Sequence, residues 1–162
     1  LARLPDQLAA AFELDWSSAL DLVGDRPNLF VLGRGYGYGV AQEAALKLKE
    51  TCGLHAESFS AAEVKHGPMA IVRDGFPVLA LATSDQAGDL VRQVAGEFAG
   101  RGARVVLADA GGTGTLPAIR ANPALEPILL LQSFYRFANR LSLSRGFHPD
   151  TPPFLNKVTE TA

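Results

Sequence analysis

The sequence has 162 residues, and its 15 lysines and arginines nearly balance its 17 aspartates and glutamates, so the formal net charge is −2. This is the length of one ordinary domain. The balanced charge excludes the strongly basic surface of a nucleic-acid-binding protein, and no apolar run approaches the roughly 18 residues of a membrane-spanning helix. The single cysteine, Cys52, excludes an intrachain disulfide. It suits a reducing compartment, so we expect a cytoplasmic protein without nucleic-acid or membrane partners.

Short apolar runs alternate with amphipathic stretches along the chain. Because near-continuous apolar strands separated by helices are typical of parallel sheets covered on both faces, we expect one α/β domain over 1–162, folded as a doubly wound three-layer α/β/α sandwich. In chain order, the pattern predicts a leading helix within 1–24, with helical spacing over 4–23, a strand over 28–32, a helix over 40–52, a strand over 77–82, a helix over 85–101, a strand over 104–108, a helix over 127–145 and an irregular tail over 148–162.

A glycine-rich loop, GRGYGYG over Gly33 to Gly39, follows the first predicted strand and precedes a helix. Glycines there permit positive φ angles and a close approach of the backbone to a ligand. Ligands of doubly wound sheets bind beyond the carboxyl ends of the strands, where this loop is expected. The dinucleotide fingerprint G-x-G-x-x-G fails in every register, which disfavours a nicotinamide dehydrogenase. The loop is therefore either a tight structural turn or a ligand-binding loop.

The predicted helix over 40–52 has a charged face and an apolar face. Glu43, Lys47 and Glu50 fall on the charged face. These side chains are either a solvated surface with ordinary ion pairs, or a carboxylate and an ammonium that face a polar cavity and perform acid–base work on a carbonyl substrate. The apolar stripe, which we expect to face the core, consists of Ala41, Ala45, Leu48 and Cys52.

Two further segments carry chemistry-bearing side chains. His66 precedes Gly67 and Pro68 and is expected at a turn, where a lone histidine is either exposed and structural or a proton donor. The other histidines have no spacing that would complete a metal triad with it, so we expect no metal site. Thr83 and Ser84 follow the second predicted strand, where hydroxyls either cap a helix or bind phosphate.

Three segments together resemble one family. They are EAALKLKET over Glu43 to Thr51, AESFSAAEVKHGPMAIV over Ala56 to Val72, and PPFLNKVTET over Pro152 to Thr161, with GRG at Gly33 to Gly35. The combination resembles the second sugar isomerase (SIS) domain of the glutamine–fructose-6-phosphate aminotransferase group, which includes relatives that deaminate or deglycate amino-sugar phosphates. The resemblance implies a five-stranded parallel sheet and no cofactor.

The resemblance also implies roles for individual residues. Glu50 would be the base that moves a proton between C1 and C2 of the sugar, with Lys47 assisting. His66 would help to open the sugar ring and would act across the boundary of a homodimer. Lys157 would contact the carbonyl end and could form a Schiff base. The implied substrate-binding residues are Gly33, Arg34, Gly35, Thr83 and Ser84.

The sequence departs from the family pattern at the phosphate cradle. The first sugar domain of such enzymes carries a segment of the type S-x-S-G-x-T, whereas this chain has Thr83, Ser84 and Asp85. We therefore expect the catalytic half of a longer two-domain enzyme, a sugar-phosphate isomerase coupled to amination or deamination. The alternative is a non-catalytic phosphosugar-binding module.

Overall fold

The computed structural model describes residues 1–155 and has a parallel β-sheet between two helical layers. Its four strands have the order β2-β1-β3-β4, and all three pairings are parallel. In chain order the elements are α1 (Leu4–Phe12), α2 (Ser18–Val23), β1 (Asn28–Gly33), α3 (Tyr36–Cys52), β2 (His55–Ser60), two 3-10 turns (Glu63–His66 and Pro68–Ile71), β3 (Pro77–Ala82), α4 (Gln86–Gly100), β4 (Arg104–Asp109) and α5 (Glu126–Ser144).

Each face of the sheet carries its own hydrophobic core. Alternate side chains of a strand point to opposite faces, so Leu29 and Val31 of β1 join one core while Phe30 and Leu32 join the other. The first core is covered by α3 and α5, and the second by α4 and the 3-10 turns. The expectation of a sheet covered on both faces is therefore confirmed. The predicted apolar stripe of α3 is also buried, comprising Ala41, Ala45, Leu48 and Cys52.

The prediction of one leading helix is wrong. The segment forms α1 and α2, which are separated by residues 13–17. In this break the carboxylate of Asp15 accepts hydrogen bonds from the backbone N–H and the hydroxyl of Ser17, which offer the chain an alternative to continued helix. The break also buries Trp16, whose indole N–H donates to the carbonyl of Pro117.

The expectation of five strands is also wrong for the residues described. An edge strand, β2, was missed because HAESFS is polar and lacks an apolar run. Beyond β4, pairing is reduced to one parallel bridge between Ala108 and Leu116. Pro117 follows immediately, and because proline has no N–H to donate, it stops the ladder there.

Helix α3 begins four residues earlier than predicted. Gly35 is its N-cap, with a φ of 56° that favours glycine, and Tyr36 opens the helix. A Cβ on Gly33 would lie 2.6 Å from the carbonyl oxygen of Gly37, so the helix packs against the end of β1 with no room for a side chain. Most of the glycine-rich segment is therefore the first turn of a helix, and only the turn before it is a loop.

Candidate active site

The charged face of α3 holds a close ion pair. Lys47 Nζ lies 2.7 Å from Glu50 Oε2 and 3.8 Å from Glu43 Oε1. The side chains of Lys47 and Glu50 are 34% and 30% exposed, so both remain open to a ligand or to another protein surface. The structure thus brings together the two residues that the sequence assigned to acid–base chemistry.

A tyrosine from α5 completes this network. The hydroxyl of Tyr135 donates to Glu43 Oε1 at 3.0 Å. Sequence reasoning missed this residue, since the contact depends on the packing of α3 against α5 rather than on any local motif. Lys47 is consequently held between two carboxylates, one of which is itself fixed from a second helix.

The pKa of Lys47 is raised from its ordinary value. The main cause is the hydrogen bond to Glu50, which outweighs the opposing effect of burial, and the charge of Glu43 adds to it. Lys47 therefore stays protonated at neutral pH. A protonated amine cannot attack a carbonyl, so this arrangement suits Lys47 to orient the Glu50 carboxylate and to stabilise negative charge rather than to act as a nucleophile.

Glu50 lines a cleft of about 240 Å³. The aromatic ring of Phe147 forms part of it and lies directly over Gly53, where any Cβ would overlap the ring. Gly53 also has a φ of 58°, so a glycine is needed there for both reasons. The residues that line the cleft are Lys49, Glu50, Gly53, Phe147, Pro153 and Phe154. Lys157, the predicted Schiff-base lysine, lies outside the described residues.

His66 ends the first 3-10 turn and is exposed. Its turn is anchored on both sides, because Val64 is fully buried and Lys65 Nζ lies 2.7 Å from Glu97 Oε2 on α4. The turn follows the carboxyl end of β2, whereas Glu50 precedes the amino end of that strand. The structure therefore separates His66 from Glu50 within one chain.

The GRG segment lies at the carboxyl end of β1, next to the start of α4. A Cβ on Gly35 would lie 3.0 Å from the Cβ of Ala87. Arg34 Nη1 lies 3.4 Å from Ser60 Oγ at the end of β2. Because β2 and β3 flank β1 on opposite sides, this is the point where the strand order reverses, and the crevice there is the usual ligand position of an open α/β sheet.

The hydroxyls of Thr83 and Ser84 are already engaged within the chain. Thr83 Oγ1 donates to Asp85 Oδ1 at 2.6 Å, and that carboxylate also caps α4 by accepting from Gly88 N–H. Ser84 donates its N–H and its hydroxyl to the carboxylate of Glu126, at 2.6 and 2.7 Å. The cap of α4 is therefore Asp85 rather than either hydroxyl, and both donors of Ser84 are directed at Glu126.

Sequence reasoning also missed a buried carboxylate at the end of β4. Asp109, at the end of β4, is 1% exposed, and it accepts hydrogen bonds from Arg92 at 2.5 Å and from Thr113 Oγ1 at 2.6 Å. Burial opposes ionisation of Asp109. The hydrogen bonds from Thr113 and Gly111 and the charge of Arg92 nevertheless lower its pKa. A single Asp after a strand gives no local signal of such a network.

Two classes of site are not found in the part of the chain that the structure describes. Over residues 1–155, no group of three histidine, cysteine, aspartate or glutamate side chains could hold a metal ion. No helix in the same range has the length and apolar character needed to cross a bilayer.

The sequence model of the SIS domain family matches residues 22–115, more than half of the chain. The chain belongs to the SIS domain family. The matched range includes the sheet, the GRG segment, Lys47, Glu50 and His66. Similar proteins and similar solved structures relate this SIS domain to isomerizing aminotransferases and phosphosugar isomerases.

Among proteins of known function, a glutamine–fructose-6-phosphate aminotransferase (isomerizing) of Leifsonia xyli is 37% identical over 97% of this chain and 28% of its own length. The chain therefore spans little more than a quarter of that relative. Among solved structures, a candidate phosphosugar isomerase of Silicibacter pomeroyi is 43% identical, with a TM-score of 0.82 over 92% of this chain and 46% of that one. The C-terminal domain of a Francisella tularensis glucosamine–fructose-6-phosphate aminotransferase has the same fold, with a TM-score of 0.79 over 90% of this chain and 44% of that one at 24% identity.

Proposed function

We propose that this SIS domain supplies the acid–base residues of an enzyme that interconverts aldose and ketose forms of amino-sugar or sugar phosphates, coupled to amination or deamination. Glu50 removes a proton from one of the two carbons C1 and C2 and returns it to the other. Lys47 stays protonated beside Glu50 and stabilises the negative charge that develops on the substrate oxygen.

The observation that carries this proposal is the Lys47–Glu50 pair at 2.7 Å, which is exposed by about a third and whose carboxylate residue, Glu50, lines the cleft beside Phe147. The carboxylate of an ordinary surface pair faces open solvent, whereas Glu50 lines a cleft to which Phe147 and Pro153 also contribute. A partly buried carboxylate in such a cleft can contact a substrate carbon directly, whereas a fully solvated one must first shed its water.

Lys157 and His66 are proposed to reach this cleft by different routes. Pro153 and Phe154 line the cleft beside Glu50, and Lys157 follows Phe154 by three residues, a reach of at most about 11 Å. It is proposed as the amine that contacts the substrate carbonyl. His66 is proposed to come from the second subunit of a homodimer, because within one chain it lies beyond the opposite end of β2 from Glu50.

The segment Gly33, Arg34 and Gly35 is proposed to face substrate or a neighbouring domain at the strand-order reversal. We do not retain Thr83 and Ser84 as substrate-binding residues, since their donors are engaged by Asp85 and Glu126. The phosphate group of the substrate is therefore proposed to bind mainly outside this chain, in a second domain.

The decisive experiment follows solvent deuterium into the substrate. The intact protein is incubated in D₂O with fructose 6-phosphate or glucosamine 6-phosphate, and exchange at C1 and C2 is measured by NMR. We expect Glu50→Gln to lower exchange by about 10² to 10⁴ fold, because the amide keeps the shape and removes the base. Substrate affinity should remain within a few fold.

Glu57→Gln on β2 is the matched control, since Glu57 is exposed and lies away from the cleft; it should exchange at the wild-type rate. Wild-type exchange in Glu50→Gln would refute the assignment of the base. Sugar-phosphate binding without any exchange in the wild-type protein would favour a non-catalytic phosphosugar-binding module instead.

A further inference from the structure

Glu126 is a charged residue that is completely buried, at 0% exposure. Its two carboxylate oxygens accept three hydrogen bonds. Oε2 accepts from Ser84 N–H at 2.6 Å, and Oε1 accepts from the Ser84 hydroxyl at 2.7 Å and from Ala121 N–H at 3.1 Å. Because a buried charge is tolerated only when its oxygens are well paired, this set of donors is what makes the position possible.

Two of the three donors belong to Ser84, at the carboxyl ends of the strands. Ser84 follows the carboxyl end of β3, and β3 pairs directly with β1. The crevice outside these two strand ends is where open α/β sheets bind ligands. Two backbone N–H groups and a hydroxyl that converge on two oxygens form the kind of donor set that also holds a phosphate. Here Glu126, from the start of α5, provides the oxygens.

We propose that Glu126 is an internal substitute for a ligand phosphate. Its carboxylate fills the anion position at the carboxyl end of β3, so a sugar phosphate cannot place its phosphate group on Ser84 of this chain. This inference extends the proposed function, because it gives a reason why the phosphate must be bound elsewhere and names the residue responsible.

Two features of the surroundings support exclusion rather than shared binding. The donors of Ser84 already face the Glu126 oxygens, so an incoming phosphate would have to break both hydrogen bonds. Asp85, bonded to Thr83 on the same turn, adds a second carboxylate. A phosphate approaching this turn would therefore meet two negative charges, one of them in a low-dielectric position where repulsion is strong.

The test removes the carboxylate and supplies phosphate from solution. Glu126→Ala leaves three unsatisfied donors, so we expect a lower melting temperature than that of the wild type. Inorganic phosphate should then raise the melting temperature of this variant by about 3 °C or more relative to potassium chloride of equal ionic strength, because binding to the folded state stabilises it. The wild-type protein should show no difference between the two salts.

Ser133→Ala is the control, since it also removes a buried polar group from α5, one that donates to the Ala11 carbonyl; phosphate should not stabilise it selectively. Equal phosphate effects on all three proteins, or none on Glu126→Ala, would overturn the proposal. If Glu126→Ala does not fold, it and Glu126→Ser are refolded from urea in each salt. Recovery in phosphate alone supports the proposal, and failure of both variants in both salts refutes it. Since no turnover is measured, the result is independent of the deuterium exchange experiment.

Discussion

Glu50 and His66 lie at opposite ends of the edge strand β2, because one precedes the strand and the other follows it. The six residues of β2 alone span about 17 Å. A single chain therefore cannot bring both side chains to one substrate carbon without rearranging the strand. This separation has a direct consequence for how the site is assembled.

We predict that mixed dimers restore activity. Glu50→Gln and His66→Ala should each be inactive alone, but after subunit exchange each mixed dimer contains one site with both native residues. Turnover should recover to as much as half of the wild-type level per mixed dimer. A double variant mixed with Glu50→Gln is the control and should stay inactive. Absence of recovery in dimers shown to be mixed by mass spectrometry would contradict sharing across subunits.

The raised pKa of Lys47 predicts that this lysine does not form a Schiff base. Lys47 remains protonated until the pH rises above its ordinary value of 10.5, so at pH 8 its amine is not free to attack a carbonyl. Borohydride trapping with fructose 6-phosphate should leave Lys47 unmodified and label Lys157. Lys157→Arg, which keeps the charge but has no nucleophilic amine, should abolish the label. A peptide map with the adduct on Lys47 would be the contrary result.

Tyr135→Phe should reduce turnover more than stability. The lost hydroxyl is partly exposed, so the free energy of unfolding should fall by less than about 1 kcal/mol. Without it, Glu43 is free to approach Lys47 more closely than 3.8 Å and to draw it from Glu50. We expect several-fold slower exchange of the substrate proton. Tyr36→Phe, at the exposed start of α3, serves as the comparison and should change neither quantity.

The Asp109–Arg92 pair predicts a pH-dependent loss of stability. Because the pKa of Asp109 is lowered by folding, its contribution is present above the unfolded value of 3.8 and is lost as the pH falls through the folded value. Asp109→Asn should cost about 3 kcal/mol at pH 7, and the difference from wild type should shrink below pH 3.8. Asp89→Asn removes the 71% exposed partner of Arg92 and should cost less than about 1 kcal/mol. Urea titrations at several pH values measure both.

The sequence predicted those features that depend on local pattern. The apolar runs gave three strands, and the helical spacing of Ala41, Ala45 and Leu48 identified the buried stripe of α3. The strand β2 was missed because its sequence, HAESFS, is largely polar and lacks the continuous apolar run that identified the other three strands. The carboxylate that accepts both hydrogen bonds from Ser84 was missed for a different reason. Glu126 lies 42 residues away in sequence, and only the packing of α5 brings it next to Ser84.

The order β2-β1-β3-β4 places β1, the first strand of the described residues, in the interior of the sheet. During translation, the apolar segment Leu29 to Leu32 must wait for residues 55–60 on one side and 77–82 on the other before both of its edges are paired. Until then it exposes unpaired backbone groups and aliphatic side chains, the combination that promotes aggregation. In the ribosome-bound chain β1 is therefore vulnerable until β3 has emerged, and β3 in turn keeps an unpaired edge until β4 pairs with it.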